Sequence, residues 1–463
     1  MIDIKCNNIS THKTWEEMIK AFFDYIPFEE YDENILFEIT KNDNSINLKI
    51  FKDKELFGEG TTEISPLDEV RATKVLIYEV LSRVLKRDLP WGTLTGIRPV
   101  SFFNWTKKQY GNELGREIFS TKYHVRSDKV ELCEEIENIE HKTMTKYKDN
   151  HLIYIHIPFC ETRCNYCSFS VMTMDKFGKW MDKYFETLLK EIEEGYDILP
   201  PEKACSLYIG GGTPSTLSIE KTKKLLSVIN EKFKNLVEIT FEAGRPESIT
   251  TELLEVLQSE GVSRISINPQ SMQQKTLDSI GRKHTVEDIY AAFERAKKYD
   301  IDVNTDMIIG FKGEGVHDVT DTLSKLIALE PENITVHSLA LKTGSRIKNQ
   351  NVDFSYEEFI DRRNIYDILR KNSYRSYYLY RQKRQVGEAE NIGFSKEGKE
   401  NIFNIISMND ENHVLAFGMG AVSKFVDKNL DCHRVFGFRD VIYYIEHLNE
   451  LNENKREIVE KYL

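Results

Sequence analysis

The chain has 463 residues, of which 40% are hydrophobic and 30% charged, and its formal net charge is −12 at pH 7. This composition is typical of a folded globular protein, the length predicts two or three domains, and the acidic balance argues against a nucleic-acid-binding protein. No apolar run is long enough to span a membrane, and the first fifteen residues lack the charged-then-apolar layout of a secretion signal.

The N-terminal part predicts a small α+β domain followed by a helical connector. Strand-like runs such as NILFEIT and INLKIFK alternate with acidic turns, and a helical pattern covers residues 75–84. The segment LPWGTLTGIRPV at 89–100 is rich in Gly and Pro and therefore predicts a connector. We place the α+β domain at 1–88 and the helical connector at 89–148.

Six apolar runs rich in β-branched and aromatic residues follow, and helical segments separate them. They read LIYIHIPF from 152, CSLYIGG from 205, VEITFEAG from 237, SRISINPQ from 263, VNTDMIIG from 303 and NITVHSLAL from 333. Repeated strand-then-helix units predict an α/β fold, a partial (β/α)6 TIM-like barrel over 149–350. The loops at the carboxyl ends of such strands carry the chemistry.

The strand-then-helix alternation weakens after about residue 354. A helical pattern there leads into the aromatic and basic run SYYLYRQKRQ. We predict that residues 351–463 form a C-terminal extension that covers the substrate at the barrel mouth.

The cysteines divide into four isolated residues and one close group. The total of seven is odd, which does not suit a disulfide framework and favours a reducing, cytoplasmic location. The isolated residues are Cys6, Cys133, Cys205 and Cys432. The group, Cys160, Cys164 and Cys167 in the segment CETRCNYC, follows the first predicted strand of the barrel.

Three close cysteines leave three interpretations. Structural zinc takes four protein ligands, and the fourth would have to come from a distant residue such as His156 or Cys205. A [4Fe–4S] cluster held by three thiolates keeps one iron open for another ligand, and the tight spacing favours this interpretation. Incidental buried cysteines are the third possibility, and such groups are uncommon outside metal or redox sites.

CETRCNYC resembles the signature of the radical S-adenosylmethionine enzymes, and the resemblance covers about 150 to 340. It implies a [4Fe–4S] cluster whose open iron is chelated by the amino and carboxylate groups of S-adenosylmethionine. An electron from the cluster then cleaves the carbon–sulfur bond, and the resulting 5′-deoxyadenosyl radical abstracts hydrogen from an unreactive carbon.

A closer resemblance, to the oxygen-independent coproporphyrinogen III oxidase family and its HemZ-like variant, rests on several further segments. They are LTGIRPV at 94, YIHIPFC at 154, FEAGRPESIT at 241, INPQSM at 267 and LYRQKRQVGEAENIGFS at 379. It implies oxidative decarboxylation of two propionate groups of coproporphyrinogen III to give protoporphyrinogen IX. It also implies an electron donor such as flavodoxin or ferredoxin.

The resemblance assigns site roles to individual residues, each of which has an ordinary structural alternative. Glycines after the second strand suit close approach of a ligand, although such a turn is by itself a weak signal. Acids in apolar strands suit ribose hydroxyls, with a rim ion pair as the alternative. The implied catalytic residues are the three cysteines and Tyr154, and the implied cofactor-binding residues are Tyr154, Tyr166, Gly211, Gly212, Thr213, Glu242, Gln270, Arg282, Asp306 and Ala340.

The basic and aromatic run near residue 380 predicts a binding surface for the carboxylates of the substrate. Arg381, Lys383 and Arg384 would hold the edge of the macrocycle, since guanidinium groups suit carboxylates. Neighbouring tyrosines 377, 378 and 380 would pack on its face. A solvated basic loop is the alternative.

One position departs from the better-studied coproporphyrinogen dehydrogenases, which have a further cysteine two residues beyond the third cluster ligand. Phe169 stands there in this chain, as phenylalanine does in the haem-trafficking relatives. A haem-binding chaperone of the same fold is therefore a second hypothesis. A zinc-binding interaction module is a third.

Overall fold

The computed structural model describes residues 1–23, 25–26, 28–64, 68–96, 98–169, 171–340, 363–383, 385 and 389–463. Contacts group them into two compact units. The first contains the described residues of Met1–Glu135 and Tyr380–Glu390, and the second those of Ile136–Asn351, Arg363–Leu379 and Asn391–Leu463. The domain boundaries drawn from the sequence stay predictions.

A four-stranded sheet and two helices form the core of the first unit. Alternating apolar residues bury one face of the sheet, as in Ile35, Phe37 and Ile39, against the apolar sides of both helices. The elements are β1 Ile2–Asn7, α1 Lys13–Phe22, β2 Ile35–Asn42, β3 Ser45–Lys52, β4 Glu55–Glu63 and α2 Glu69–Leu85. The sheet order is β1-β2-β3-β4, with β1 parallel to β2 and the other pairs antiparallel.

Three further helices follow the sheet, namely α3 Pro99–Tyr110, α4 Asn112–Thr121 and α5 Ser127–Lys146. Within the first unit, the buried carboxylate of Glu390 accepts hydrogen bonds from Trp91 Nε1 at 2.7 Å and from Lys129 Nζ at 2.6 Å. These contacts explain why a segment near residue 390 belongs to this unit, although the sequence places it in a C-terminal extension.

The six predicted strands of the barrel form the parallel centre of the sheet in the second unit. They are β5 His151–Ile157, β8 Ala204–Gly211, β9 Glu238–Phe241, β10 Arg264–Ser266, β11 Asp302–Ile309 and β12 Asn333–Ser338. Their order is β12-β11-β10-β9-β8-β5, and each is joined to the next by parallel pairing. The predicted mixed α/β fold is confirmed. Two short strands, β6 Phe159–Cys160 and β7 Met172–Thr173, pair separately.

Strands from the C-terminal region extend this sheet at both edges. At one edge β12 pairs antiparallel with β14 Asn391–Ser395, and β13 Arg375–Tyr380 lies beyond it. At the other, β5 pairs parallel with β15 Val414–Phe417, followed by β16 Val422–Val426 and β17 Cys432–Phe436. Over the described residues the sheet runs from β13 at one edge to β17 at the other, and the predicted cover over the substrate stays a prediction.

Helices fill the crossovers between the parallel strands and complete the second unit. In α7 the apolar positions Tyr184, Leu188 and Ile192 are fully buried at four-residue spacing. The described helices are α6 Met174–Phe177, α7 Met181–Gly195, α8 Ile219–Lys232, α9 Thr251–Ser259, α10 Gln274–Ser279, α11 Val286–Ala296, α12 Val316–Ala328, α13 Arg363–Lys371, α14 Ile402–Met408, α15 Val441–Glu446 and α16 Leu448–Tyr462. Within the described ranges, no helix combines the length and the apolar character needed to cross a bilayer.

Candidate cofactor site

The three close cysteines lie on a loop that begins after the carboxyl end of β5. Cys160 and Cys164 are each 7% exposed, and Cys167 is half-buried. A turn in which the Cys167 amide donates to the Cys164 carbonyl at 3.2 Å joins the last two. Asn165 anchors this turn, because its backbone amide donates to the Ile280 carbonyl at 3.0 Å. The loop is therefore held in place by the protein around it.

The surroundings of the thiols suit metal ligands. Burial raises the pKa of the Cys160 thiol to about 11, opposed by a hydrogen bond from the Thr213 hydroxyl at 3.3 Å and by the charge of Arg245. Burial also raises the pKa of Cys167. Burial alone would keep these cysteines protonated, and metal coordination stabilises the thiolate form. The cysteines therefore suit the role of ligands to a cationic cluster better than the role of uncoordinated thiolates.

Of the two residues proposed as a fourth ligand for zinc, one lies far from the cysteines and the other bonds to the backbone. Cys205 is in β8 beside the first residues of β5, and its thiol donates to the His151 carbonyl at 3.5 Å. This is the opposite end of the parallel strands from Cys160. His156 Nδ1 bonds instead to the backbone carbonyl of Met419. Among the residues that the structure describes, no group of three or more His, Cys, Asp or Glu side chains, Cys160, Cys164 and Cys167 included, is arranged to hold a metal ion.

The glycine stretch at the end of β8 lies directly against the cysteine loop. The amides of Gly212 and Thr213 donate to the carbonyls of Ile157 and Phe159, both at 2.7 Å. A Cβ on Gly212 would lie 2.5 Å from the Phe159 carbonyl oxygen and 3.0 Å from Cys160 Sγ. Gly211 has φ +114° and a Cβ there would overlap the His156 ring. Only glycine fits this close approach.

Two carboxylates predicted for the site lie near one another, Glu242 directly after β9 and Asp306 within β11. Burial and then the charge of Asp306 raise the pKa of Glu242 to about 8, opposed by hydrogen bonds from the Gly211 amide and the Tyr208 hydroxyl. Asp306 Oδ2 lies 3.5 Å from His337 Nε2. The ion-pair alternative for Asp306 stays a prediction, and the partners of Glu242 are neutral donors.

Tyr154 and His156 lie on the same side of β5, where both are half-buried between fully buried isoleucines. Their ring centroids are 6.1 Å apart, and the Tyr154 ring is 6.3 Å from that of Tyr208. Burial and the charge of Glu242 raise the pKa of Tyr154 well above its ordinary value. Tyr154 is therefore a neutral hydrogen-bonding group beside the acidic pair.

Tyr166, Gln270 and Arg282 form the other side of the predicted set. The buried guanidinium of Arg282 donates to the Tyr166 hydroxyl at 3.0 Å and to the Asn268 carbonyl at 2.6 Å. Gln270 has φ +73°, and its backbone N–H donates to the backbone carbonyl of Asp306 at 3.0 Å. The buried side-chain oxygens of Asn268 and Gln270 accept no hydrogen bond within the described chain. Orphaned buried acceptors suit a polar ligand.

Ala340 is half-buried two residues beyond β12, beside Leu339, whose amide donates to the Ile309 carbonyl at 2.8 Å. The predicted residues thus gather around the carboxyl ends of the parallel strands. The cysteine loop follows β5, Gly211–Thr213 follow β8, and the remaining positions lie on or after the next strands. Their individual roles in cofactor binding stay predictions.

Arg245 belongs to this region but was missed by the sequence analysis. It is 4% exposed, and its Nη2 donates to the Thr162 carbonyl at 2.6 Å and lies 3.5 Å from Cys164 Sγ. It stands in the FEAGRPESIT segment that carried part of the family resemblance. Its position just after a predicted strand of the barrel was the sequence signal that could have assigned Arg245 to the site.

The predicted substrate cations have contacts inside the first unit. Arg381 is buried, donates to the carbonyls of Leu94 and Ala389, and lies 5.7 Å from the centre of the Trp91 ring. Lys383 forms an ion pair with Glu17 at 3.2 Å. Arg384 lies outside the described residues. These contacts give Arg381 and Lys383 structural roles, and substrate binding by them stays a prediction.

Comparisons with known proteins agree with this geometry. The family model of the radical SAM superfamily matches residues 154–326. The oxygen-independent coproporphyrinogen-III oxidase-like protein HemZ of Bacillus subtilis is 33% identical over 394 residues, which cover 81% of this chain and 78% of that protein. The heme chaperone HemW of Lactococcus lactis is 32% identical over 282 residues, 58% of this chain and 67% of its own.

A solved structure shows the same fold. Coproporphyrinogen III oxidase (HemN) from Escherichia coli, described as a radical SAM enzyme, superposes with a TM-score of 0.54 and 21% identity. The match covers 67% of this chain and 72% of that protein.

Proposed function

Because this chain belongs to the radical SAM superfamily and, within it, to the oxygen-independent coproporphyrinogen-III oxidase-like family, we propose that it oxidatively decarboxylates two propionate groups of coproporphyrinogen III. The superfamily uses a [4Fe–4S] cluster and S-adenosylmethionine. The proposed product is protoporphyrinogen IX, and the proposed reductant is a small electron-transfer protein such as flavodoxin or ferredoxin.

The observation that carries the proposal is the contact between the cysteine loop and the glycine stretch. Thr213 bonds to Cys160 Sγ, and Gly212 lies so close to the same sulfur that a side chain would not fit. A ligand on the open iron of a cluster held by the three cysteines would therefore meet backbone rather than side chains. The acceptors of Asn268 and Gln270, and the Glu242–Asp306 pair, supply polar partners in the same unit.

The residues present suit this cofactor pair. Cys160, Cys164 and Cys167 would hold three irons, and Glu242 and Asp306 would accept ribose hydroxyls. When bound, the cluster and S-adenosylmethionine supply a radical able to remove hydrogen from an unactivated carbon. Tyr154 would bound the cofactor on the β5 side, since its side chain points to the opposite face of the strand from the fully buried isoleucines.

The net change at each propionate balances as loss of one hydrogen atom, one CO2 and one electron, which leaves a vinyl group. The electron requires an external one-electron acceptor. The proposal does not assign the role of electron acceptor to any residue of the chain.

Anaerobically reconstituted protein tests the proposal directly. Reduced protein, S-adenosylmethionine and coproporphyrinogen III should together yield 5′-deoxyadenosine and protoporphyrinogen IX, detected by chromatography and mass spectrometry. A Cys167→Ser variant should yield neither. Formation of 5′-deoxyadenosine that does not increase with coproporphyrinogen III, with no protoporphyrinogen, would contradict the decarboxylase assignment.

A second candidate function is haem handling by a protein of the same fold. Phe169, two residues beyond Cys167, is 62% exposed, and phenylalanine there resembles the haem-trafficking relatives. An exposed aromatic side chain beside a cluster suits contact with a flat macrocycle. Stoichiometric haem binding that Phe169→Ala weakens, without porphyrinogen turnover, would favour this function over decarboxylation.

A further inference from the structure

We propose that Arg245 is a positioning residue for the iron–sulfur cluster, which holds the cysteine loop in place and raises the reduction potential of the cluster bound there. The inference rests on the cluster of the proposed function but not on the identity of the tetrapyrrole. It concerns a residue outside the cysteine signature.

The geometry joins Arg245 to the loop at two points. Its Nη2 donates to the Thr162 carbonyl at 2.6 Å, and Thr162 lies between Cys160 and Cys164 in the chain. The same nitrogen lies 3.5 Å from Cys164 Sγ. One guanidinium therefore restrains the loop backbone and presents an N–H group to a cluster ligand. Hydrogen bonds to ligand sulfurs are an established means by which proteins adjust cluster potentials.

Arg245 is paired with a carboxylate that in turn lies beside a buried histidine. Its Nη1 lies 3.6 Å from Glu247 Oε1, and Glu247 Oε2 lies 3.1 Å from Nδ1 of the buried His284. Burial raises the pKa of Glu247, but the neighbouring His284, the backbone and the charge of Arg245 outweigh it, and the pKa is about 2. Glu247 is thus an anion that offsets part of the charge of Arg245.

The sign of the effect follows from charge. Reduction adds negative charge to the cluster and its thiolates, and a nearby buried cation stabilises that charge more than it would in water. Removing the cation should lower the reduction potential. Removing the charge of Glu247 should leave Arg245 less neutralised and raise the potential. Opposite shifts from two neighbouring residues distinguish an electrostatic role from a general loosening of the loop.

The test uses full-length reconstituted protein and four variants: Arg245→Met, Arg245→Lys, Glu247→Gln and, as control, Arg295→Met. Arg295 also donates to a backbone carbonyl, that of Ile249 at 2.8 Å, in the same unit. Iron and sulfide content reports cluster retention, and a potentiometric titration followed by electron paramagnetic resonance reports the potential, both without substrate.

We expect Arg245→Met to lower the potential and to lose iron faster in air, Glu247→Gln to raise the potential, and Arg245→Lys and Arg295→Met to stay near the wild type. If Arg245→Met holds no cluster while Arg295→Met does, the loop-holding role is supported and Glu247→Gln alone tests the sign. Full retention and an unchanged potential in Arg245→Met would overturn the inference.

The two proposals fail separately. Shifts of the expected sign in a protein that does not convert coproporphyrinogen III would support the role of Arg245 and reject the decarboxylase. Turnover of coproporphyrinogen III by wild type and by Arg245→Met, with equal potentials, would do the reverse. Wild-type protein that takes up no cluster would overturn the inference about Arg245 directly.

Discussion

The guanidinium of Arg282 donates a hydrogen bond to the hydroxyl of Tyr166 at 3.0 Å. Tyr166 immediately precedes the third cysteine, and Arg282 also donates to the Asn268 carbonyl at 2.6 Å, just after β10. One buried side chain therefore connects the cysteine loop, which follows β5, to the carboxyl end of β10. These two strands are not adjacent in the sheet. The contact joins residues 116 positions apart in the chain.

Replacement of Arg282 by methionine should destabilise the protein and loosen the cysteine loop. Each hydrogen bond from a charged donor contributes about 1.5–3 kcal/mol, and the partners Tyr166 and Asn268 would be left without one donor each. We expect a lower Tm by circular dichroism and less iron per chain after reconstitution. Lys283→Met is the matched control, because Lys283 is adjacent and exposed, and an Arg282→Met Tm equal to that of this control would contradict the assignment.

Replacement of Cys167 by serine should abolish cluster retention. Serine keeps the size of the side chain but supplies no thiolate for iron. Cys432→Ser is the control, since Cys432 is also half-buried, in β17. Iron and sulfide analysis and the visible absorption of the reconstituted proteins provide the measurement. Equal cluster content in the two variants would exclude Cys167 as a ligand.

The parallel strands and the place of the site could be predicted from the sequence because both leave local signals. Each strand is a short apolar run, and in parallel sheets such runs are buried on both faces. Glu242 directly follows the last residue of β9, so the position of that strand in the sheet determines where Glu242 lies. The topology then brings the carboxyl ends together, so positions far apart in the chain could be assigned to one region.

Contacts with no local pattern could not be predicted. Lys129 and Glu390 form a fully buried ion pair at 2.6 Å across 261 residues of chain. Neither residue differs from a surface residue in its sequence neighbourhood, since burial of a charge depends on a partner that only the fold supplies. The same reason explains why Arg381, which the sequence assigned to the substrate, lies among backbone carbonyls of the first unit.

Replacement of Gly211 by alanine should impair cofactor binding beyond the cost of an unfavourable backbone angle. Gly211 has φ +114° and an added Cβ would overlap the His156 ring. Gly261 has φ +81° with no atom within 4 Å of its added Cβ, so Gly261→Ala measures the backbone cost alone, about 1 kcal/mol. We expect at least a tenfold weaker affinity for S-adenosylmethionine in Gly211→Ala by calorimetry, equivalent to about 1.4 kcal/mol. Equal affinities in the two variants would show that the close approach at Gly211 is unnecessary.

Replacement of Glu242 by glutamine should change how stability depends on pH. The pKa of Glu242 is raised from its ordinary value to about 8 by burial and by the charge of Asp306. Between about pH 4.5 and pH 8 the folded protein therefore binds more protons at this residue than the unfolded chain does. The free energy of unfolding must then fall as pH rises through this window, and the loss is complete above the folded-state pKa.

The measurement compares Tm at pH 5.5 and pH 8 without added S-adenosylmethionine. Wild-type protein should lose more stability between these values than Glu242→Gln, because glutamine has no proton to release, and the difference should reach roughly 1–3 kcal/mol, since each unit of pKa shift corresponds to about 1.4 kcal/mol. Glu140, whose pKa burial also raises to about 8, contributes to both proteins and cancels in the comparison. The exposed Glu255→Gln variant should retain the wild-type dependence. Parallel curves for wild type and Glu242→Gln would mean that Glu242 is ionised in the folded protein and that burial does not raise its pKa.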